Sequence, residues 1–342
     1  MMPLFNFAIV GCGNIGNRHA KYIAERGHLQ AVCDIVPDKA KTLADAYHAK
    51  AYTSLQDLLE QEKNLDLLAV CTPNGLHATH SLAGLEKGLH VVCEKPMAIR
   101  SDDCKRMIEA ADRMKRHLFI VKQNRFNPPI EAVKKLIEEG RLGKILSVQV
   151  NCFWNRPAAY YQNSWKGTAE LDGGTLFTQF SHFIDLLYWL LGEPDHVQAF
   201  IANLHHQDLI DFEDTGVINF HFANGILGGM HYTVNSFETN MEGSLTIMAE
   251  NASIKIGGPY LNELSYQRIK DFSIRDLPAG NPANDYGAYR GTMSNHDKVY
   301  DNVIAVLAGH EKIATNAFEG LKTVEIIEKI YATAKAFPNY KK

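Results

Sequence analysis

Gly11-Cys12-Gly13-Asn14-Ile15-Gly16 follows an apolar run and opens a helical stretch. Glycines at this spacing suit phosphate binding. The first allows a tight turn, the second lets backbone approach a pyrophosphate, and the third lets helix and strand pack closely. The free N–H groups of the helix start, around Asn14 and Ile15, then face the phosphates. Asp34 closes the next apolar run 18 residues past Gly16, where a carboxylate accepts hydrogen bonds from ribose hydroxyls and repels a 2′-phosphate. No arginine follows in Ile35-Val36-Pro37-Asp38, so NAD is expected rather than NADP. Alone, such a glycine pattern is often only a turn, and such an aspartate only a cap. The strand before and the helix after favour the nucleotide reading.

Two more polar groups end apolar runs: Thr72-Pro73-Asn74, and Glu94-Lys95-Pro96. Ligands of open α/β sheets bind at the carboxyl ends of strands. A lysine ending a buried strand is costly unless paired or functional; the plainer alternative is a snorkelling surface lysine. His77-x-x-His80 and His205-His206 suggest metal only by composition. No metal site is expected, and His77 is expected to border the cofactor. The six cysteines include no C-x-x-C pair, so buried reduced thiols are expected.

These residues need elements to hold them. Up to about residue 122, the apolar runs Phe5–Val10, Leu29–Cys33, Leu65–Cys71, Leu89–Cys93 and Leu118–Val121 alternate with amphipathic stretches. That alternation predicts a doubly wound parallel sheet. One helix is expected to start at Ser101 as N-cap, with Asp102 and Asp103 in its first turn. After Asn127 the pattern changes. A helix is predicted from Pro128 to about Glu139, then a strand from Lys144 to Trp154 with Leu146, Val148, Val150, Cys152 and Trp154 on one face. Asn224-Gly225 signals a type I′ hairpin and Glu250-Asn251 a second turn. Helices are expected near 174–191, 295–308 and 318–336. The fold class is therefore α/β: a Rossmann domain over 1–124, then an α+β domain over 125–342 with an open, mostly antiparallel sheet.

Composition narrows the partners. Hydrophobic residues make 46% and charged residues 22% of the 342-residue chain, which excludes a disordered chain. A net charge of −4 without a basic stripe argues against nucleic acid. The apolar start, Pro3 to Val10, runs into the glycine turn without a cleavage site, and Ile184 to Leu191 is broken by Asp185. Neither fits a signal peptide or a membrane span, so a cytoplasmic protein is expected.

The set GCGNIGNRH at 11–19, CTPNGLH at 71–77, CEKPMA at 93–98 and GGTLFTQFSHFIDLLYWLLGE at 173–193 resembles the Gfo/Idh/MocA family of nicotinamide oxidoreductases over essentially the whole chain. The resemblance implies that Lys95 and His182 flank the nicotinamide, with Asp185 completing H-x-x-D. Cofactor contacts are implied at Thr72, Asn74, His77, Glu94, Lys95, Gln123, Trp165 and Lys166. Many members carry an aspartate where this chain has Thr178, which argues against an inositol-dehydrogenase-like site. FWNRPAAYYQNSWKGTAELDGG at 153–174, EDTGV at 213–217, EGSLTI at 242–247 and DKVYDNVI at 297–304 are similar to the branch acting on UDP-N-acetylglucosaminuronic acid.

That resemblance implies oxidation of a secondary hydroxyl, the 3-hydroxyl in that branch. His182 would take the hydroxyl proton, with Asp185 orienting it, Lys95 binding the alcohol oxygen, and Thr178, at i−4 from His182, reaching the sugar. A substrate with two phosphates and a carboxylate needs cations; Arg125, Arg156 and Lys166 are candidates. Tyr160, Tyr161 and Trp165 offer stacking surfaces, and Gln179 a hydrogen-bonding amide. The plainer readings are a packing loop and a core histidine. Other sugar or polyol dehydrogenases, an NAD-dependent glycosidase acting by transient oxidation, and a non-catalytic NAD-binding regulator stay open. A one-sided sheet predicts a homodimer or homotetramer.

Overall fold

Six short strands, β1 (Asn6–Val10), β2 (His28–Cys33), β3 (Lys50–Tyr52), β4 (Leu67–Val70), β5 (His90–Cys93) and β6 (Leu118–Ile120), pair in the order β3-β2-β1-β4-β5-β6, every pair parallel. The central strands are buried on both faces, as expected where helices cover a parallel sheet. The computed structural model describes residues 4–285 and 290–336; Pro3, the start of the apolar run, lies outside them. The edge strand β3 escaped the five apolar runs because Lys50 and Ala51 are exposed. Among the described residues, no helix is long and apolar enough to cross a membrane.

The chain divides into two units: Met1–Lys122 with His296–Val324, and Gln123–Asn295 with Glu325–Lys342. The first break lies two residues before the expected start of the second domain at 125. The late segment His296–Val324 belongs with the first unit, which a contiguous division did not include. Its role is physical. Ile120 N–H donates to the Thr315 carbonyl and Phe119 bridges Asn316, so the segment covers the open edge of β6.

In the second unit, β7 (Ile145–Phe153), β8 (Pro194–Ala202), β9 (Thr215–Phe222), β10 (Leu227–Thr233), β11 (Glu242–Ala249), β12 (Ala252–Gly257) and β13 (Glu263–Ile269) form a mostly antiparallel sheet. A small pair, β14 (Ala283–Asp285) with β15 (Arg290–Met293), stands apart, and β16 (Ala334–Ala336) adds to β8. The large sheet is ordered β13-β12-β11-β7-β10-β9-β8-β16. Trp154, Phe180, Phe183 and Tyr232 pack edge-on or tilted at centroid separations of 5.2–5.8 Å. This cluster seats the helix Ser181–Leu191 on the sheet's inner face.

Four local expectations change. Leu146 is 47% exposed, because Ile145 faces Ala249 while Ser147 faces Met248, a bulge that turns Leu146 outward. At Asn224-Gly225 only the glycine has positive φ. Gly225 N–H bonds the Phe222 carbonyl and Phe222 N–H the Ile226 carbonyl. The loop is thus a type I turn closed by a left-handed glycine, not type I′. The helix Ser101–Met114 takes Arg100 as N-cap, with Ser101 already helical. Finally, residues 176–180 wind as a π-turn before the α-helix begins at Ser181.

Candidate functional site

The glycine turn is built as its spacing implies. Gly11 has φ +94°, and a Cβ there would lie 2.5 Å from the Cys71 carbonyl oxygen. A Cβ on Gly16 would meet the Gly11 carbonyl oxygen at 2.0 Å. On Gly13 it would meet nothing within 4 Å, so that glycine faces open space where a pyrophosphate can approach. Gly13 caps the helix Asn14–Ala24 without a side-chain bond, and no acidic residue stands in its first turn. A helix start of this kind attracts an anion. These residues fit the NAD phosphates.

Asp34 shares its carboxylate with the local backbone: Oδ2 accepts Cys12 N–H at 2.8 Å and Oδ1 accepts Val36 N–H at 2.9 Å. Each oxygen keeps lone-pair capacity for a ribose hydroxyl. Its turn-forming and nucleotide roles are compatible. Thr72 hydroxyl pairs with His80 Nδ1 at 3.0 Å, and burial presses His80 down to about 4. Asn74 is buried in the short turn Asn74–Leu76. His77, expected to border the cofactor, is buried and lies 2.6 Å from the Pro96 carbonyl oxygen and 2.9 Å from that of Thr72. It ties together the two loops that end β4 and β5.

Lys95 is half-buried, and its backbone N–H donates to Glu94 Oε2 at 3.0 Å. Glu94, expected at the cofactor, turns inward: Oε1 accepts from His19 Nε2 at 2.9 Å and His296 Nε2 at 3.1 Å. His19 and His296 were missed in sequence. His19 ends a motif read for its glycines, and His296 lies some 200 residues from Glu94 with no local pattern to mark it.

In the second unit His182 is buried at the start of Ser181–Leu191. Asp185, expected to orient it, meets Arg125: Nε to Oδ2 at 2.8 Å and Nη2 to Oδ1 at 2.6 Å. Both are buried, and the guanidinium stands over Trp189 at 5.0 Å. Arg125, expected at a substrate anion, thus spends two donors on Asp185. A buried two-point pair of this kind fixes direction as much as it stabilises. Gln123 is buried beside it in sequence, and its amide nitrogen donates to Thr292 at 3.1 Å.

The 155–166 loop forms a connected array. Arg156 Nε donates to Gln179 Oε1 at 2.8 Å, and Gln179 Nε2 donates to Tyr160 hydroxyl at 2.7 Å. The Arg156 guanidinium lies over the rings of Trp154 and Tyr160, at 5.2 and 5.4 Å. Lys166 Nζ sits 4.0 Å from the Tyr160 centroid. Burial lowers Lys166 to about 8, with Asp172 opposing and Arg156 adding to the fall. Tyr161 packs into a small core with Tyr160 and Ile210, so it braces Tyr160. Trp165 is half-buried, its carbonyl accepting the Thr168 hydroxyl at 2.8 Å.

Thr178 lies in the π-turn that precedes His182. Its hydroxyl donates to the buried Asp172 carboxylate, which also accepts Gly167 N–H at 2.8 Å. The structure therefore brings Thr178 together with Asp172, six residues before it. All six cysteines are buried and free.

Comparisons with known proteins agree with this architecture. The Gfo/Idh/MocA model for an oxidoreductase family with an NAD-binding Rossmann fold matches residues 5–122, and its C-terminal domain model matches 130–255. The chain is similar to the WlbA dehydrogenase from Bordetella pertussis, solved with NADH and UDP-GlcNAcA. Identity is 36%, covering 97% of this chain and 96% of that one, with a TM-score of 0.86. The Chromobacterium violaceum WlbA dehydrogenase, with the same ligands, is 38% identical over 96% and 93% of the two chains, TM-score 0.87. Among curated proteins, 2,7-anhydro-N-acetylneuraminate hydratase of Escherichia coli is 30% identical over 75% of this chain and 71% of its own length. Inositol 2-dehydrogenase of Salmonella typhimurium is 28% identical over 62% of this chain, a match that spans 64% of the relative's length. The chain belongs to the Gfo/Idh/MocA family of oxidoreductases, and its first unit is that family's NAD-binding Rossmann fold.

Proposed function

We propose that this protein is an NAD-dependent dehydrogenase that oxidises the 3-hydroxyl of a UDP-N-acetylglucosaminuronic acid, a cytoplasmic step in bacterial surface-polysaccharide synthesis. The observation carrying this reading is the likeness, over nearly the whole chain, to two dehydrogenases solved with NADH and UDP-GlcNAcA. The second unit supplies matching chemistry. Arg156 and Lys166 bring cationic groups to the Tyr160 ring, suited to a ligand with phosphates, a carboxylate and a sugar ring.

NAD held by the glycine turn and Asp34 would supply the hydride acceptor for this oxidation. The chain's own residues handle the proton and the oxygen. His182 takes the hydroxyl proton, the general-base role that imidazole most often fills. Lys95 donates a hydrogen bond to the alcohol oxygen and favours the negative charge that develops there. The Arg125–Asp185 pair and the aromatic cluster under Phe183 hold the His182 helix in place. Thr178, through Asp172, positions the sugar without acting as a base.

Purified protein loaded with NAD should be mixed in single turnover with UDP-GlcNAcA, UDP-GlcNAc and myo-inositol while nicotinamide absorbance is followed. Reduction with the UDP-sugar acid alone supports the proposal. Reduction by myo-inositol in its place rejects the substrate class. Release of an aglycone from a glycoside without accumulating NADH would identify a transient-oxidation hydrolase instead.

A further inference from the structure

We propose that His19, Glu94, His296 and Tyr300 form a buried positioning network that fixes the backbone at Lys95, an inference that rests on reading Lys95 as the residue that binds the reacting oxygen. All four lie in the first unit. Glu94 is 4% exposed, and His19 and His296 are fully buried. A carboxylate withdrawn from water this far needs several donors. It has three: Oε1 accepts the Nε2 hydrogens of His19 and His296, and Oε2 accepts the Lys95 backbone N–H. Burial opposes ionisation of Glu94, but the two histidine bonds outweigh it and hold the group well below the usual carboxylate range.

The tautomers follow from the partners. With Nε2 of His19 donating to Glu94, its Nδ1 accepts, and the Tyr300 hydroxyl donates to it at 2.6 Å. His296 donates through Nε2, while its buried Nδ1 has no hydrogen-bond partner. Burial presses the His296 pKa down, so it is a neutral donor. Glu94 thus carries a fixed negative charge surrounded by N–H donors, and its second oxygen accepts the Lys95 amide. From the other side, His77 lies 2.6 Å from the Pro96 carbonyl. The peptide carrying Lys95 is therefore held on both flanks.

His19, Glu94 and His296 are also, among the described residues, a group whose composition could ligate a metal. Their N···O separations of 2.9 and 3.1 Å are hydrogen-bond lengths, and the donors already satisfy the carboxylate. Positioning is the use this geometry serves. It also gives the late segment at His296, which follows β7–β15 in the chain, a role in the first unit's chemistry.

The test compares His296→Leu with His296→Gln, whose side-chain amide can place an N–H near the former Nε2. The leucine variant should lower single-turnover hydride transfer about 10-fold, the scale for loss of a supporting hydrogen bond, with NAD Kd and substrate KM changed by about twofold or less. Glutamine should restore the rate to within about threefold of the parent. Amide exchange at Lys95 should quicken in the leucine variant while β5 stays protected. Tyr300→Phe, which removes only the outer hydrogen bond, should give a smaller loss in the same direction, and it carries the test if the His296 variants do not fold. Unchanged Lys95 exchange and rate in His296→Leu, or a folded glutamine variant no better than leucine, would overturn the network. If Lys95→Ala keeps the parental rate, the catalytic reading of Lys95 fails instead, and the exchange measurement still decides the positioning.

Discussion

Each Asp34 oxygen accepts one backbone N–H, from Cys12 or Val36, yet a carboxylate has about four lone-pair sites. The residue can therefore shape the turn and still read a ribose. A 2′-phosphate would place a dianion against that carboxylate, so NAD should bind more tightly than NADP by roughly 2 kcal/mol or more. Calorimetry giving equal dissociation constants for both would reject the assignment. Lys95→Ala and His182→Ala should each slow hydride transfer by about 10²-fold or more. NAD affinity should hold, because the glycine turn and Asp34 are untouched. Thr178→Ala should be milder, since it removes one hydrogen bond to Asp172. Single-turnover rates separate these effects from slow product release; a near-parental rate for His182→Ala would make it a packing residue. The glycine turn, Asp34 and Lys95 were legible in sequence because their signals are local, a motif and two strand ends. Glu94 was legible only as a neighbour of Lys95. Its inward role depends on His296, which no window of adjacent residues contains.

At the scale of elements, the alternation of short apolar runs and helices marked the first sheet, and period-two patterning marked much of the second. What escaped were deviations from ideal repeats. Leu146 points outward because a bulge inserts one residue, and Thr178 meets Asp172 because residues 176–180 wind as a π-turn. Both are decided by packing against distant strands, and π-turns recur at functional sites. One buried group is tied to this turn. Glu213 Oε1 accepts the hydroxyls of Tyr331 at 2.7 Å and Tyr232 at 3.1 Å, and Tyr331 hydroxyl also accepts Leu176 N–H at 3.2 Å. Burial raises Glu213 to about 7; hydrogen bonds from Tyr331 and Tyr232 oppose this, and Asp172 adds to it. A carboxyl with a raised folded pKa binds its proton more tightly when folded. Its contribution is complete below the unfolded pKa and fades as pH rises through the folded one. Glu213→Gln cannot titrate. Relative to the parent, it should gain stability between about pH 4.5 and 7, by on the order of 1–3 kcal/mol, and level off above. Denaturant midpoints for both proteins across that range check it; a constant offset would mean that Glu213 does not titrate there.

For the whole molecule, the second sheet is what calls for a partner. Its inner face buries Val148, Val150, Ile218, Phe220, Met230 and Leu245. Its outer face is mixed. Phe200 pairs with Val217 across β8 and β9, and the Val217 row continues through His231 and Asn151. Two rows along the same face, past Gly229 and Gln149, Met248 and Leu227 both face Ser147 from opposite sides. Phe200, Val217, Leu227 and Met248 are 46%, 41%, 61% and 45% exposed. Single exposed apolar residues need no explanation, but several of them on one sheet face are typical of surfaces that associate. A second copy of the chain is the simplest cover, because twofold packing lets one face complement itself. We therefore expect a homodimer or homotetramer by light scattering at micromolar concentration, and a clean monomer would contradict this. Val217→Lys combined with Leu227→Lys places cations on two rows of that face and repeats them on each facing copy. Like charges brought together on burial are costly, so the double variant should shift toward monomer with its fold intact by circular dichroism. If it keeps the parental mass, the association surface lies elsewhere on the chain.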